Sequence, residues 1–149
     1  MYNCFDVAKG LLRLANDDGD RIKPMKLLKL TYIAQGYYLG LCKKPLFHNE
    51  IQAWKYGPVI PDLYEMIKVY NKKPVDIEII DLHTSKKLKE FEEDFLKVIW
   101  NNYKEYTGRQ LSDKTHEEGS PWYNVFSDNV LNTVISNDLI KDYYSKIIN

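Results

Sequence analysis

Apolar positions recur with helical spacing along most of this chain, interrupted by short polar or proline-bearing pieces. Between Asp6 and Ala15, Val7, Leu11, Leu12 and Leu14 mark a first helix, which Asp17-Asp18-Gly19-Asp20 ends with residues that favour turns. Pro24 suits a first helical position, where a missing amide hydrogen has no intrahelical acceptor to lose. From it Leu27, Leu30, Ala34, Tyr37, Tyr38 and Leu41 follow the i, i+3, i+4, i+7 stripe of an amphipathic second helix, which Lys43-Lys44-Pro45 stops. Pro45 to Trp54 alternates too irregularly for a regular strand, so it is expected to be loop with one short strand around Ile51 and Ala53. Pro58 and Pro61 hold Val59 and Ile60 extended before a helix from about Pro61 to Tyr70, with Leu63, Tyr64, Ile67 and Tyr70 inward.

Past Asn71-Lys72-Lys73-Pro74, the β-prone residues Val75, Ile77, Ile79 and Ile80 predict a short strand that pairs with the one near Ile51 as a hairpin or ribbon. The longest helix is expected from near Ser85 to about Tyr106, on the stripe Leu88, Phe91, Phe95, Val98, Ile99, Tyr103 and Tyr106, with Gly108 closing it in a left-handed conformation. A shorter helix is expected from Ser112 toward Glu117, then an irregular Gly119-Ser120-Pro121-Trp122. Ser136 can cap a last helix carrying Leu139, Ile140, Tyr143, Tyr144, Ile147 and Ile148. The pattern therefore reads as mainly α: a compact single-domain helical bundle of five to seven helices with a small β-hairpin or ribbon, spanning 1–149.

Composition bounds what such a bundle can do. A chain of 149 residues buries roughly 68–70% of its unfolded surface, enough for a core without disulfides. No apolar run approaches the roughly 20 residues of a membrane span. The first six residues lack the basic and apolar segments of a secretory leader, so a cytoplasmic protein with Cys4 and Cys42 as free thiols is expected. Twenty-one basic residues balance twenty-one acidic ones, leaving no net field toward a polyanion. Lys23, Lys26 and Lys29, every third residue with Arg21 nearby, make a local basic row. It is expected to be the wet side of the second helix, with nucleic-acid binding as the alternative.

Candidate chemistry is sparse. The chain has no glycine-rich phosphate loop, no Gly-x-Ser-x-Gly elbow, no His-Glu-x-x-His helix and no Cys-x-x-Cys pair. His48 and His83 fall in predicted loop or turn. His116 stands with Asp113, Thr115 and Glu117, where one helical turn groups an imidazole with carboxylates as a metal or acid/base site would. The other reading is structural, with the imidazole bonded to a loop or packed on Trp122. Cys4 reads as a buried small hydrophobe rather than a nucleophile. Tyr32, Tyr37, Tyr38, Tyr103 and Tyr143 lie on or beside helical stripes and are expected in the core. Trp54, Tyr56 and Trp122 sit by Pro and Gly in loops, where core and interface roles both remain open.

Two blocks carry a resemblance. Leu27-Leu28-Lys29-Leu30-Thr31-Tyr32-Ile33-Ala34-Gln35-Gly36-Tyr37-Tyr38-Leu39 is followed by Pro45-Leu46-Phe47, Glu50-Ile51, Ala53-Trp54, Tyr56-Gly57-Pro58-Val59-Ile60-Pro61 and Leu63-Tyr64. Later come Leu111-Ser112, Thr115-His116 and Gly119-Ser120-Pro121-Trp122. In this order they resemble the Panacea antitoxin domain family, which includes SocA-like antitoxins and phage-associated proteins. The resemblance extends from Phe5 to Tyr144 and is weakest between Val75 and Leu88 and after Trp122.

That resemblance implies a compact, mainly helical antitoxin that neutralises a toxin encoded beside it by direct protein contact, without catalysis or cofactor. Some relatives act as adaptors that hand a toxin to a protease, so the expected partners are a cognate toxin and, beyond it, a protease or chaperone. The chain reads as a stand-alone antitoxin that must act through a folded surface. Trp54, Tyr56, Gly57 and Pro58, with Trp122 and Tyr123, are expected to form an aromatic-lined partner-binding face. Gln35, Gly36, Tyr64, Thr115, His116 and Pro121 are family-motif positions expected to be structural. A small metal-dependent hydrolase centred on His116 with Asp113 and Glu117 is the enzymatic alternative.

Overall fold

Local signals set most helix ends in the computed structural model, which describes residues 1–148. The first helix, α1 (Cys4–Asp17), begins in a capping box: Asp6 N donates to Asn3 Oδ1 at 2.9 Å and Asn3 N donates to Asp6 Oδ2 at 2.9 Å. Helix α2 (Pro24–Cys42) follows, with Pro24 opening it as its position in the sequence implies. The hairpin β1 (Gln52–Trp54) and β2 (Gly57–Val59) leads into α3 (Pro61–Ile67), which tightens to a 3-10 turn over Lys68–Tyr70. Then come α4 (Ile77–Asp81), α5 (Glu90–Tyr103), α6 (Gly108–Thr115), α7 (Pro121–Val125), β3 (Thr133–Val134) and α8 (Asn137–Ile148). Two of the eight helices among the described residues, α4 and α7, have only five residues. The molecule is mainly α, with one small antiparallel sheet in the order β2-β1-β3.

Helix α2 runs through the centre rather than along a surface. It packs against α1, α3, α5, α6, α8 and β2, so residues on every side of it from Leu27 to Gly40 are buried except Tyr37. The expected amphipathic stripe is thus too narrow, and its last member Leu41 faces solvent. Close packing against α8 depends on Gly36 and Gly40. A Cβ at Gly36 would lie 2.6 Å from Tyr144 Cδ2, and one at Gly40 would lie 2.9 Å from the Tyr144 backbone carbon. The buried polar residues of α2 find internal partners. Gln35 Nε2 donates to Phe47 O at 2.8 Å, and its Oε1 accepts from Leu46 N at 2.8 Å and Phe47 N at 3.2 Å, fastening the loop after α2.

Several expectations do not hold. The Val75–Ile80 piece is helical from Ile77, not a strand, because Asp76 accepts from Glu78 N at 3.1 Å and turns the chain so that Ile80 is buried. The strands beside β1 are instead β2, with Gln52 opposite Val59, and β3, with Gln52 opposite Val134 and Ala53 opposite Thr133. Helix α5 starts at Glu90, not Ser85, because Asp6 Oδ1 accepts from Ser85 N at 2.7 Å and Lys86 N at 3.1 Å and holds that segment off the helix.

Its phase differs too: Glu92, Leu96, Ile99, Trp100 and Tyr103 face inward, while Phe91 and Val98 are exposed. Glu92 is drawn inside by the hydroxyls of Tyr2 (3.0 Å) and Tyr38 (3.1 Å), and Trp100 Nε1 donates to Asp18 Oδ2 at 2.6 Å. Gly108 does not close α5. It opens α6 under a Thr107–Gln110 capping box, and α2 comes so near that a Cβ there would meet Lys26 N at 2.9 Å. The α6 helix consequently covers 108–115 rather than starting at Ser112. At the C-terminal end the expected cap holds, with Leu139 N donating to Ser136 Oγ at 3.2 Å.

Candidate functional site

The hairpin β1–β2 lies over the start of α2 and the C-terminal half of α6, and its backbone is pinned at three points. Lys29 Nζ of α2 donates to Pro58 O at 2.9 Å, Ser112 Oγ of α6 donates to Tyr56 O at 2.7 Å, and Trp122 Nε1 of α7 donates to Trp54 O at 2.6 Å. Gly57 takes φ +116°, a conformation that side chains disfavour. Its missing side chain also leaves space, since a Cβ would stand 3.0 Å from Lys29 Nζ and 3.5 Å from Thr115 Oγ1. The two sequence blocks therefore meet here, at the underside of one hairpin.

Each candidate residue takes a definite place. Gly57 and Pro58 are buried in β2, and Trp122 is 8% exposed, so these three support the hairpin from within. Tyr56, at the tip, is 65% exposed, and Tyr123 is 52% exposed. Trp54 is half-buried, its ring edge-on to Tyr64 of α3 at 5.1 Å and its Nε1 donating to Gln52 Oε1 at 2.9 Å. Pro121 opens α7 behind a Ser120 cap. Thr115 Oγ1 donates back within α6, 2.9 Å from Leu111 O and 3.1 Å from Ser112 O.

His116 follows the structural reading. Its Nδ1 lies 2.5 Å from Ser112 O, and its ring stands edge-on to Trp122 at 5.2 Å. Trp122 in turn stacks on Phe126 at 4.6 Å. Asp113 and Glu117 are exposed and make no hydrogen bond or ion pair with the imidazole. Among the described residues no three His, Cys, Asp or Glu side chains group as the ligands of a metal ion would. Nor is any helix long and apolar enough to cross a membrane. Cys4 and Cys42 are free thiols, and burial pushes the Cys4 thiol well above its ordinary range. Of the stripe tyrosines, Tyr32, Tyr38 and Tyr103 are buried, while Tyr37 and Tyr143 are half-buried.

The basic row of α2 does not exist as a surface. Lys29 is 2% exposed, and loss of hydration brings its amine down to about 7. Lys26 is half-buried, donating to Lys104 O at 2.6 Å with its ammonium 5.3 Å from the Trp100 ring centre. Only Lys23 stands in solvent. Because α2 is covered on every side, a lysine placed among leucines there is taken inside, and that context, Leu27-Leu28-Lys29-Leu30, was the available signal. Ser112 likewise escaped notice as the residue that holds Tyr56.

The comparisons with known proteins agree with this geometry. Residues 27–123, about two thirds of the chain, match the family described as antitoxin SocA-like, Panacea domain. No curated protein and no solved structure matches the chain. The matched span opens at Leu27 in α2 and closes on Tyr123, just past the tryptophan that seats the hairpin. With the matched span and the pinned hairpin occupying the same residues, the chain belongs to the SocA-like antitoxin family defined by the Panacea domain.

Proposed function

We propose that the chain is an antitoxin that neutralises a cognate toxin protein by direct contact, presenting the tip of the β1–β2 hairpin as a preformed docking face and carrying out no covalent chemistry. The observation that carries this reading is the division of labour within the hairpin. Gly57, Pro58 and Trp122 are buried and hold it, while Tyr56 and Tyr123 stand exposed and Trp54 is half-open. Fixing a loop before binding removes the ordering cost that association would otherwise carry, and exposed tyrosines supply rigid contact area with a polar tip. Three hydrogen bonds from three separate helices give this hairpin that fixity.

Co-expression with the protein encoded in the adjacent reading frame tests the role: relief of growth arrest is expected. Tyr56→Ala should weaken binding of that toxin by about 30-fold or more, as for an interface anchor, and change stability by no more than about 0.5 kcal/mol. Trp122→Ala should instead cost about 3–5 kcal/mol of folding stability. Undiminished affinity in Tyr56→Ala would move the contact surface elsewhere on the domain.

A further inference from the structure

A cavity of about 280 Å³ opens where α8 packs on α2, with Thr115 of α6 and Ser120 and Pro121 at the start of α7 also in its wall. Five tyrosines line it: Tyr32 and Tyr37 from α2, Tyr103 from α5, and Tyr143 and Tyr144 from α8. Tyr144 is their hub. Its ring stands edge-on to Tyr37 at 4.9 Å, to Tyr143 at 5.1 Å and to Tyr32 at 6.3 Å, and it rests on Gly36, where a Cβ would collide with it. Packing therefore fixes the aromatic wall.

The hydroxyls of this set are unevenly served. Tyr37 Oη and Tyr103 Oη lie 2.8 Å apart and satisfy each other. Tyr32 Oη is enclosed and has no hydrogen-bond partner among the described residues. The Tyr144 hydroxyl comes close enough to ease ionisation of Tyr32 but does not meet it in bonding geometry. Burial, and after it the phenols of Tyr32, Tyr103, Tyr143 and Tyr37, raise the Tyr144 phenol well above its ordinary range, so all four lie within electrostatic reach of Tyr144. The charged residues of the lining, Lys114 and Glu117, are opposite in sign and exposed. What the cavity offers is ring surface and neutral hydroxyls, with no net charge.

A pocket of this kind selects by shape and by one or two polar contacts. An apolar cavity of about 150 Å³ holds benzene, so this one has room for a six-membered ring with a substituent. Such a ring meets other rings edge-on or offset, the arrangements that aromatic pairs favour. A charged ligand would be desolvated against a wall with no surplus of the opposite charge. From these observations we infer that the cavity binds one neutral aromatic ring bearing a hydroxyl, the chemistry of a phenol, as a free molecule or as the tyrosine side chain of a partner. The ligand hydroxyl pairs with Tyr144 Oη, and a small turn of the Tyr144 ring brings Tyr32 Oη into the same chain of hydrogen bonds. Neither Trp54, Tyr56 nor Tyr123 lines this cavity, so the inference stands apart from the hairpin and from the toxin-binding reading.

The probes are p-cresol and toluene, alike but for one hydroxyl, titrated into the whole chain and followed by the NMR shifts of the tyrosine ring protons. The p-cresol is expected to bind about five-fold tighter or more, against the greater hydrophobicity of toluene, with shifts centred on Tyr103, Tyr143 and Tyr144. In Tyr144→Phe the two should bind alike. Benzoate and benzylammonium should both bind more weakly than p-cresol. Acetyl-tyrosine-methylamide separates the two sources: its binding alongside p-cresol assigns the site to a partner's side chain, its exclusion to a free molecule. Equal or reversed affinities for p-cresol and toluene, binding of neither, a charged probe that binds tighter, or shifts centred on Trp54 and Tyr56 would overturn the inference. Should Tyr144→Phe not fold, the comparison of p-cresol with toluene on the unaltered chain still decides.

Discussion

Replacing Lys29 by Met is expected to make stability less dependent on pH and to raise it near neutrality. The amine titrates at about 7 in the folded protein against 10.5 in an open chain, and burial is the cause. Below pH 7 folded and unfolded chains both hold the proton, and the difference between them is constant. Between 7 and 10.5 the unfolded chain holds a proton that the folded one has released, so the Lys29 contribution to stability rises with pH. The slope is about 1.4 kcal/mol per pH unit for one proton. From pH 7 to 8.5 wild type should therefore gain about 2 kcal/mol that Lys29→Met does not.

In the acid range the charged amine costs up to about 5 kcal/mol, while the variant leaves Pro58 O without its donor at about 1–3 kcal/mol. The balance predicts a variant more stable by about 2–4 kcal/mol at pH 6. Urea unfolding followed by tryptophan fluorescence at pH 6, 7, 8 and 8.5 measures this directly. Cys4 and the buried tyrosines, whose ionisation burial opposes, lower folded stability at higher pH in both proteins and cancel in the difference. Wild-type and variant curves that run parallel across this range would refute the argument that Lys29 is a desolvated amine.

Other substitutions test the frame that holds the hairpin. Gln35→Leu removes both partners of the loop at 46–47, leaving two amides and one carbonyl inside without a match. A loss of about 3–5 kcal/mol is expected from the urea midpoint at unchanged m-value, and a loss under about 1 kcal/mol would show that water replaces the side chain. Gly36→Ala pushes a methyl against the Tyr144 ring and should cost about 1–3 kcal/mol. Pairing it with Tyr144→Leu should recover part of that loss, and strict additivity of the two changes would argue against a direct clash.

Elements specified by neighbours in sequence were legible. The prolines that open α2 and α3 and the Ser136 cap act within one helical turn, so the sequence placed those helix starts, whereas α7 opens at Pro121 in a piece expected to be irregular. The family was equally readable from its short blocks in a set order, although the match covers residues 27–123 rather than Phe5 to Tyr144. The division within the aromatic set was not. Trp54, Tyr56 and Trp122 share a local context of Pro and Gly, yet one is buried, one half-buried and one exposed, according to which helix passes beneath.

The sequence by itself determined a mainly helical chain, the approximate positions of its longer helices, and membership of the antitoxin family. Tertiary structure decided which faces are inside. Glu92 entered the core because the hydroxyls of Tyr2, ahead of α1, and Tyr38 of α2 await it, position 108 has no room for a side chain because α2 crosses within contact of it, and Lys29 was buried because α2 is the central helix. Periodicity reports only that a helix has an apolar side. How many sides are covered depends on partners distant in the chain, and that number turned a solvated lysine row into one desolvated amine beneath the hairpin.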